Sequence, residues 1–184
     1  MPAQLIGKKV KIRQHKLSDA IDIYKNIRDK DIFRFTRRIP YPYKKRDAIT
    51  FVKGTFELRK KKLVYQFAIT EKTSDKVIGG IGLMNLDWKN KNAELGYWIG
   101  RKYRGKGYIT EAVSLILKFG FKGLKLNRIW AAVFETNKAS IKILKKNNLT
   151  YEGLMRETVL KVGNWQNQVL YSILRSEFKN LNRK

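Results

Sequence analysis

The chain has 184 residues, no cysteine, a single histidine, and 41 Lys and Arg against 15 Asp and Glu, a formal net charge of +26. That length fits one domain, and a content 43% hydrophobic and 12% aromatic is enough for a packed core. Disulfides, thiolate metal sites, cysteine nucleophiles and sites built from several imidazoles are excluded, and no apolar run nears the roughly 18 residues of a membrane helix.

Residues 8–14, KKVKIRQ, alternate Val10 and Ile12 with charged residues and predict a half-exposed strand, with His15 near its end read as a surface residue. Ser18 is placed to cap a helix on which Ala20, Ile21, Tyr24 and Ile27 recur at helical spacing. Pro40 and Pro42 break the chain before a second helical pattern carrying Ile49, Phe51, Val52, Phe56 and Leu58. Strand patterns follow at LVYQFAIT (63–70), KVIGGIGLMNLD (76–87) and NAELGYWIG (92–100), separated by polar turns as in an antiparallel meander. A helix is predicted from Tyr108 to Phe121, with Ile109, Ala112, Val113, Ile116 and Leu117 inward. A strand at 127–135, a helix at 137–146 and strands near 151–161 and 165–174 complete the pattern. The order is α+β with a mostly antiparallel, mixed sheet, in one domain over 8–176 followed by a basic tail at 177–184.

The segment GYWIGRKYRGKGYITEA (96–112) reads as strand, basic glycine-bearing loop and helix start, an arrangement that holds phosphates. Gly100 to Lys106 follows the P-loop pattern up to its lysine, but Gly107 stands where a magnesium-binding hydroxyl belongs. The dinucleotide fingerprint fails too, since Thr110 replaces its third glycine. Gly105 and Gly107 let the backbone approach a ligand, and the amides from about Arg104 to Ile109 point out of a helix N-terminus with Arg104 and Lys106 adding charge.

Four segments in order give this loop a context: AELGYWIG, RKYRGKGYITEA, LNRIWAAVFETNKAS and NNLTYEG. Together they resemble the GNAT N-acetyltransferases, in the branch similar to ribosomal-protein N-terminal acetyltransferases. The resemblance covers about residues 8–176 and implies a splayed sheet of about seven strands flanked by about four helices. Three departures stand out. Lys102 replaces the Gln or Arg of the family loop, Asn148-Leu149 replaces Gly-Phe, and Leu144 occupies the place where many members carry a tyrosine general acid.

The resemblance implies transfer of acetyl from acetyl-CoA to a primary amine by direct attack, without a metal. Because an α-amine titrates near about 8 and a lysine near about 10.4, a base must remove a proton. Glu94 is the candidate, with a plain surface carboxylate as the alternative reading. Backbone groups near Trp98 and Ile99 would meet the acetyl oxygen and pantetheine. Gly100, Lys102, Arg104, Gly105, Lys106, Gly107, Tyr108 and Ile109 would hold the pyrophosphate. Ser140 matches the N-x-x-S serine assigned as acid toward the CoA thiolate and equally suits a helix cap, while Asn137 is both N-cap and pantetheine contact. Lys145 and Lys146 are candidates for the 3′-phosphate, and Tyr41, Tyr43, Trp88 and Trp165 for the acceptor groove or the core.

The acceptor implied is a protein N-terminus, such as that of a ribosomal protein, with a small-molecule amine as the alternative. The +26 charge repels polyamines and attracts ribosomal RNA, although a lysine-biased composition would give the same number. A basic nucleic-acid-binding module without catalysis is the reading of a different class. The first residues lack the order of a secretory leader, so a soluble, cytoplasmic monomer or homodimer is expected.

Overall fold

In the computed structural model, which describes residues 4–181, the N-terminal alternation forms a short hairpin. Strand β1 (Gln4–Ile6) pairs antiparallel with β2 (Val10–Arg13). After α1 (Ala20–Ile27), α2 (Lys30–Arg34) and α3 (Lys45–Lys60) come β3 (Tyr65–Glu71), β4 (Val77–Asp87) and β5 (Asn92–Ile99), the expected meander. Helix α4 (Tyr108–Lys118) ends in a π turn over Phe119–Gly123 and leads to β6 (Arg128–Phe134), α5 (Lys138–Lys146), β7 (Thr150–Lys161), β8 (Asn164–Leu174) and α6 (Arg175–Leu181). The strands form one sheet in the order β1-β2-β3-β4-β5-β6-β8-β7, antiparallel except for β5 with β6.

The strand period of two sorts side chains between two cores. Phe67 in β3 joins Ile12, Leu83, Val113, Ile116 and Leu144 beneath α4 and α5. Its neighbour Ala68 joins Ile23, Ile27, Val52 and Val77 beneath α1 and α3. Glu111, in the first turn of α4, fastens the N-terminal hairpin by accepting the amides of Lys8, Lys9 (2.8 Å) and Val10 (2.9 Å).

The α+β architecture is the expected one, enlarged by elements too short for a periodic signal: β1, the five-residue α2, and α6. The last of these forms where only a basic tail was expected, and its Phe178 ring lies 5.0 Å from Phe121. Two local expectations are corrected. His15 is buried, edge-on to Phe51 at 5.4 Å and 3.7 Å from Asp19, because the chain turns inward after β2. Ser18 caps nothing. The carboxylate of Asp19 takes the Lys16 amide at 2.7 Å and closes that turn instead. Among the described residues no helix is long and apolar enough to cross a membrane.

Buried charge is neutralised in place. The Arg13 guanidinium forks onto Asp19 at 2.8 and 2.9 Å and reaches Asp75 at 2.8 Å through Nε. Burial alone would raise the Asp19 carboxyl, but the adjoining His15, Arg13 and the Lys16 amide outweigh it and hold it well below the usual range. At the other side of the sheet Arg128 forks onto Glu152 and brings that carboxyl down to about 2. Both folded-state values lie below the unfolded ones near about 4, so this stabilisation is present above that pH and lost as pH falls through the folded values. Urea titrations should therefore show unfolding free energy declining from about pH 5 to pH 2, with Asp19→Ala costing about 3 kcal/mol at neutral pH and flattening the decline. An unchanged slope in that variant would locate the acid sensitivity elsewhere. Glu111→Ala should lower stability by about 2 kcal/mol in the same assay, because three amides lose a charged acceptor.

Candidate active site

The site begins where a strand pair ends. Strands β5 and β6 run parallel and are paired only at Asn92–Arg128, Ala93–Ile129 and Glu94–Trp130. Beyond that rung β5 continues along β4 as far as Ile99, while β6 follows β8 from Arg128 to Phe134. The two strands diverge and leave a wedge between them.

Register decides which backbone groups face the wedge. Gly100 donates its amide to Ile78 at 2.9 Å, and in the same register Gly80–Trp98 and Gly82–Gly96 are hydrogen-bonded pairs. The amides of odd-numbered residues point the other way: that of Leu95 closes the last rung with β6, and those of Tyr97 and Ile99 face the opening. Of the two positions expected to present backbone donors, Ile99 therefore faces the wedge, whereas the backbone of Trp98 is engaged by β4. The Trp98 indole lies over Gly80, so closely that a Cβ there would come within 2.5 Å of Nε1.

Glu94 occupies the last paired rung and is 3% exposed, so it is not the surface carboxylate of the alternative reading. Arg37 Nη2 donates to its Oε1, and Asn85 Nδ2 donates to Oε2 at 2.7 Å. Asn85 is turned onto Glu94 by an irregularity in the β4–β5 register between Met84 and Asp87, where its φ of 50° suits asparagine. Arg37 comes from the non-repetitive segment between α2 and α3. That segment is held by the β7–β8 hairpin, whose Lys161 donates to the Thr36 carbonyl and lies 4.0 Å over the Phe33 ring.

On the opposite face of β5, the Tyr97 hydroxyl lies 2.7 Å from Ser140 Oγ. Asn137 caps α5 by accepting the Ser140 amide at 3.1 Å, which fixes the serine backbone independently of its hydroxyl. Burial pushes the Tyr97 phenol up to about 12, against the lowering effect of the Ser140 hydrogen bond, so the phenol keeps its proton at neutral pH. Leu144, at the family's tyrosine position, is fully buried in the core.

The loop heads α4 through left-handed glycines, with φ of 78° at Gly105 and 80° at Gly107. The first helical bond runs from the Glu111 amide to the Gly107 carbonyl at 3.1 Å, so the amides of Tyr108, Ile109 and Thr110 precede any intrahelical acceptor. The surrounding side chains divide. Lys102 and Lys106 are exposed, the latter 5.8 Å over the Tyr103 ring, while the Ile109 side chain is in the core and Tyr108 donates to Glu71 at 3.1 Å. Arg104 turns away to Asp29 (2.7 Å) and Asp31 (3.0 Å), so its charge is already matched. Lys145 and Lys146 are exposed in the last turn of α5.

The aromatic candidates scatter. Tyr43 is core, Trp88 bonds the Lys62 carbonyl beside Tyr65, and Trp165 is exposed on the β7–β8 hairpin opposite Leu160. Tyr41 lies in the segment that carries Arg37, its ring 5.2 Å from Phe33. Sequence reasoning missed Arg37, Asn85 and Tyr97. For Tyr97 the signal was its position on the same strand as Glu94. Among the described residues no group of three or more His, Asp or Glu is placed to hold a metal ion.

Residues 9–150 match the sequence model of the Acetyltransferase (GNAT) domain. An uncharacterized N-acetyltransferase, p20, from Bacillus licheniformis is 31% identical over 95% of this chain and 97% of its own. The alanine N-acetyltransferase of ribosomal protein uS5 from Escherichia coli is 27% identical over 64% of this chain and 61% of its own. Among solved structures, a microcin C7 self-immunity acetyltransferase in complex with acetyl-CoA and AMP superposes with a TM-score of 0.85 at 21% identity, covering 95% of this chain and 97% of that one. With its diverging β5 and β6, glycine-headed α4 and match over most of its length, this chain belongs to the GNAT acetyltransferase family and is an acyltransferase of N-acetyltransferase type.

Proposed function

We propose that the protein transfers acetyl from acetyl-CoA to the N-terminal amine of a protein, with a ribosomal protein as the leading candidate. The observation that carries this reading is the wedge between β5 and β6, with a buried carboxylate, Glu94, on one face of β5 and the Tyr97–Ser140 hydroxyl pair on the other. Proton removal and proton return then lie on opposite sides of the strand, as transfer from a thioester entering one side to an amine entering the other requires. The uS5 relative and the +26 charge, which draws the enzyme toward ribosomal RNA, support a ribosomal acceptor.

The residues fit the donor. At Gly105 nothing lies within 4 Å of where a Cβ would be, and with Gly107 it opens the loop backbone toward a diphosphate that the α4 amides would bind. Lys102 and Lys106 supply charge there, Gly100 and Tyr108 shape the loop, and Asn137 would meet the pantetheine arm. When bound, acetyl-CoA supplies the activated acyl group and a thiolate leaving group. Glu94 accepts the amine proton, directly or through a water. The Ile99 amide, facing the wedge, is a donor for the acyl oxygen. Ser140, paired with Tyr97, would return a proton to the leaving sulfur, and the hydroxyl pair would recover one from water as Glu94 releases the amine proton, so that the pair takes the role Leu144 lacks the chemistry to play.

A turnover screen of acetyl-CoA against N-terminal peptides and small amines tests the reading, and peptides should be the better acceptors. Glu94→Gln should lower kcat/KM by about 100-fold at neutral pH, and Ser140→Ala and Tyr97→Phe should lower kcat with cofactor affinity kept. Gly105→Glu should abolish cofactor binding in calorimetry. Acetylation of small amines alone would move the acceptor out of the protein class, and no cofactor binding at millimolar concentration would end the enzymatic reading altogether.

A further inference from the structure

Each oxygen of Glu94 accepts one donor, and only 5% of its side chain meets solvent. The remaining lone pairs are covered, so an amine reaches the carboxylate by moving one of the two donors, and the two differ. Asn85 is anchored within β4 beside the register shift, and its amide completes a 2.7 Å bond. Arg37 reaches in from the segment between α2 and α3, and 32% of its side chain meets solvent, whereas 5% of the Glu94 side chain does. Arg37 is the donor that can leave.

Leaving has an electrostatic condition. A guanidinium drawn off a buried carboxylate gives up a strong, charge-assisted pair, and the incoming ammonium repels it. The exchange that leaves no charge unmatched is one in which the acceptor brings both partners: its amine for Glu94 and a carboxylate of its own for Arg37. The surroundings favour that second partner. Residues 33–46 carry Arg34, Arg37, Arg38, Lys44, Lys45 and Arg46 without one carboxylate. Arg38 Nη1 lies 3.7 Å from Met84 Sδ, on the residue paired across the sheet with Glu94. Lys161 brings another cation to the Thr36 carbonyl, one residue before Arg37.

We infer that Arg37 is a specificity-determining residue that trades Glu94 for an acidic group of the acceptor, so that the preferred substrate is a peptide N-terminus with a carboxylate side chain in its first two residues. This rests on the N-terminal acceptor proposed above and narrows it to acidic N-termini. The net charge of the protein steers the same class of partner toward the site.

The test compares peptides that differ only as Asp against Asn, in one pair at the first residue and in another at the second. The wild-type enzyme should favour the acid in at least one pair by about tenfold in kcat/KM, the scale of a close charge pair. Arg37→Gln should bring that ratio near one, and Arg37→Lys should leave it intermediate because ammonium lacks the planar fork. If Arg37 served only to neutralise Glu94, its loss would slow acid and amide peptides alike and leave the ratio where it was. Should the Gln variant fail to fold, judged by thermal melting, the Lys variant carries the comparison. Equal rates on Asp and Asn peptides in the wild type, or an unchanged ratio in the variants, would overturn the role of Arg37 while leaving N-terminal acetylation standing. Acetylation of no peptide at all, with turnover on small amines, would overturn both.

Discussion

The chemistry of this protein depends on a failure of pairing. Strands β5 and β6 share a short parallel ladder that stops at Glu94–Trp130, after which each is satisfied only on its outer side, β5 by β4 and β6 by β8. Each strand keeps an antiparallel partner on its outer side, so the pair opens without unravelling the sheet. Backbone amides on the inner side of β5 are left without a strand, and buried or half-buried groups of that kind require some partner. An extended ligand rich in amides meets that need as an added strand would.

Charge is distributed with a similar economy. The most obvious cation of the glycine loop, Arg104, is committed to Asp29 and Asp31, which leaves the exposed lysines and the backbone amides at the head of α4 as the loop's unmatched positive groups. Arg104 instead ties the loop to the α1–α2 region. Arg37 is held by a single carboxylate, Glu94, where Arg104 has two. The two arginines show why a count of basic residues says little about function until each partner is known.

Much of this was legible in the sequence, and the remainder was not for identifiable reasons. The meander was readable because alternation and polar turns bracket β3, β4 and β5, and the loop was readable because Gly105 and Gly107 adopt the left-handed backbone their identity suggests. Glu94 was singled out from its place on the strand that precedes the loop, and the structure adds that it is buried. Its partners were not, since Arg37 lies in a segment without periodicity and Asn85 depends on a register shift that one strand cannot reveal. Tyr97 looked like any strand aromatic, and only the position of α5 turns it into a partner of Ser140. His15 was misplaced for a related reason: its burial is set by the packing of α3, through Phe51, and by the network around Asp19.

The strand order also sets when the site comes into being. Strand β8 lies between β6 and β7, so β7 has no neighbour until the final strand has been made. The residue that steadies the Arg37 segment, Lys161, sits at the turn of that hairpin, 125 positions after Thr36 in the chain. During synthesis from the N-terminus, the glycine loop and Glu94 leave the ribosome long before the Arg37 segment is braced. A nascent chain that has already folded its first five strands thus still lacks the contact that holds Thr36 beside Arg37. The Arg37 segment gains that brace only from strands beyond the point where the family match ends.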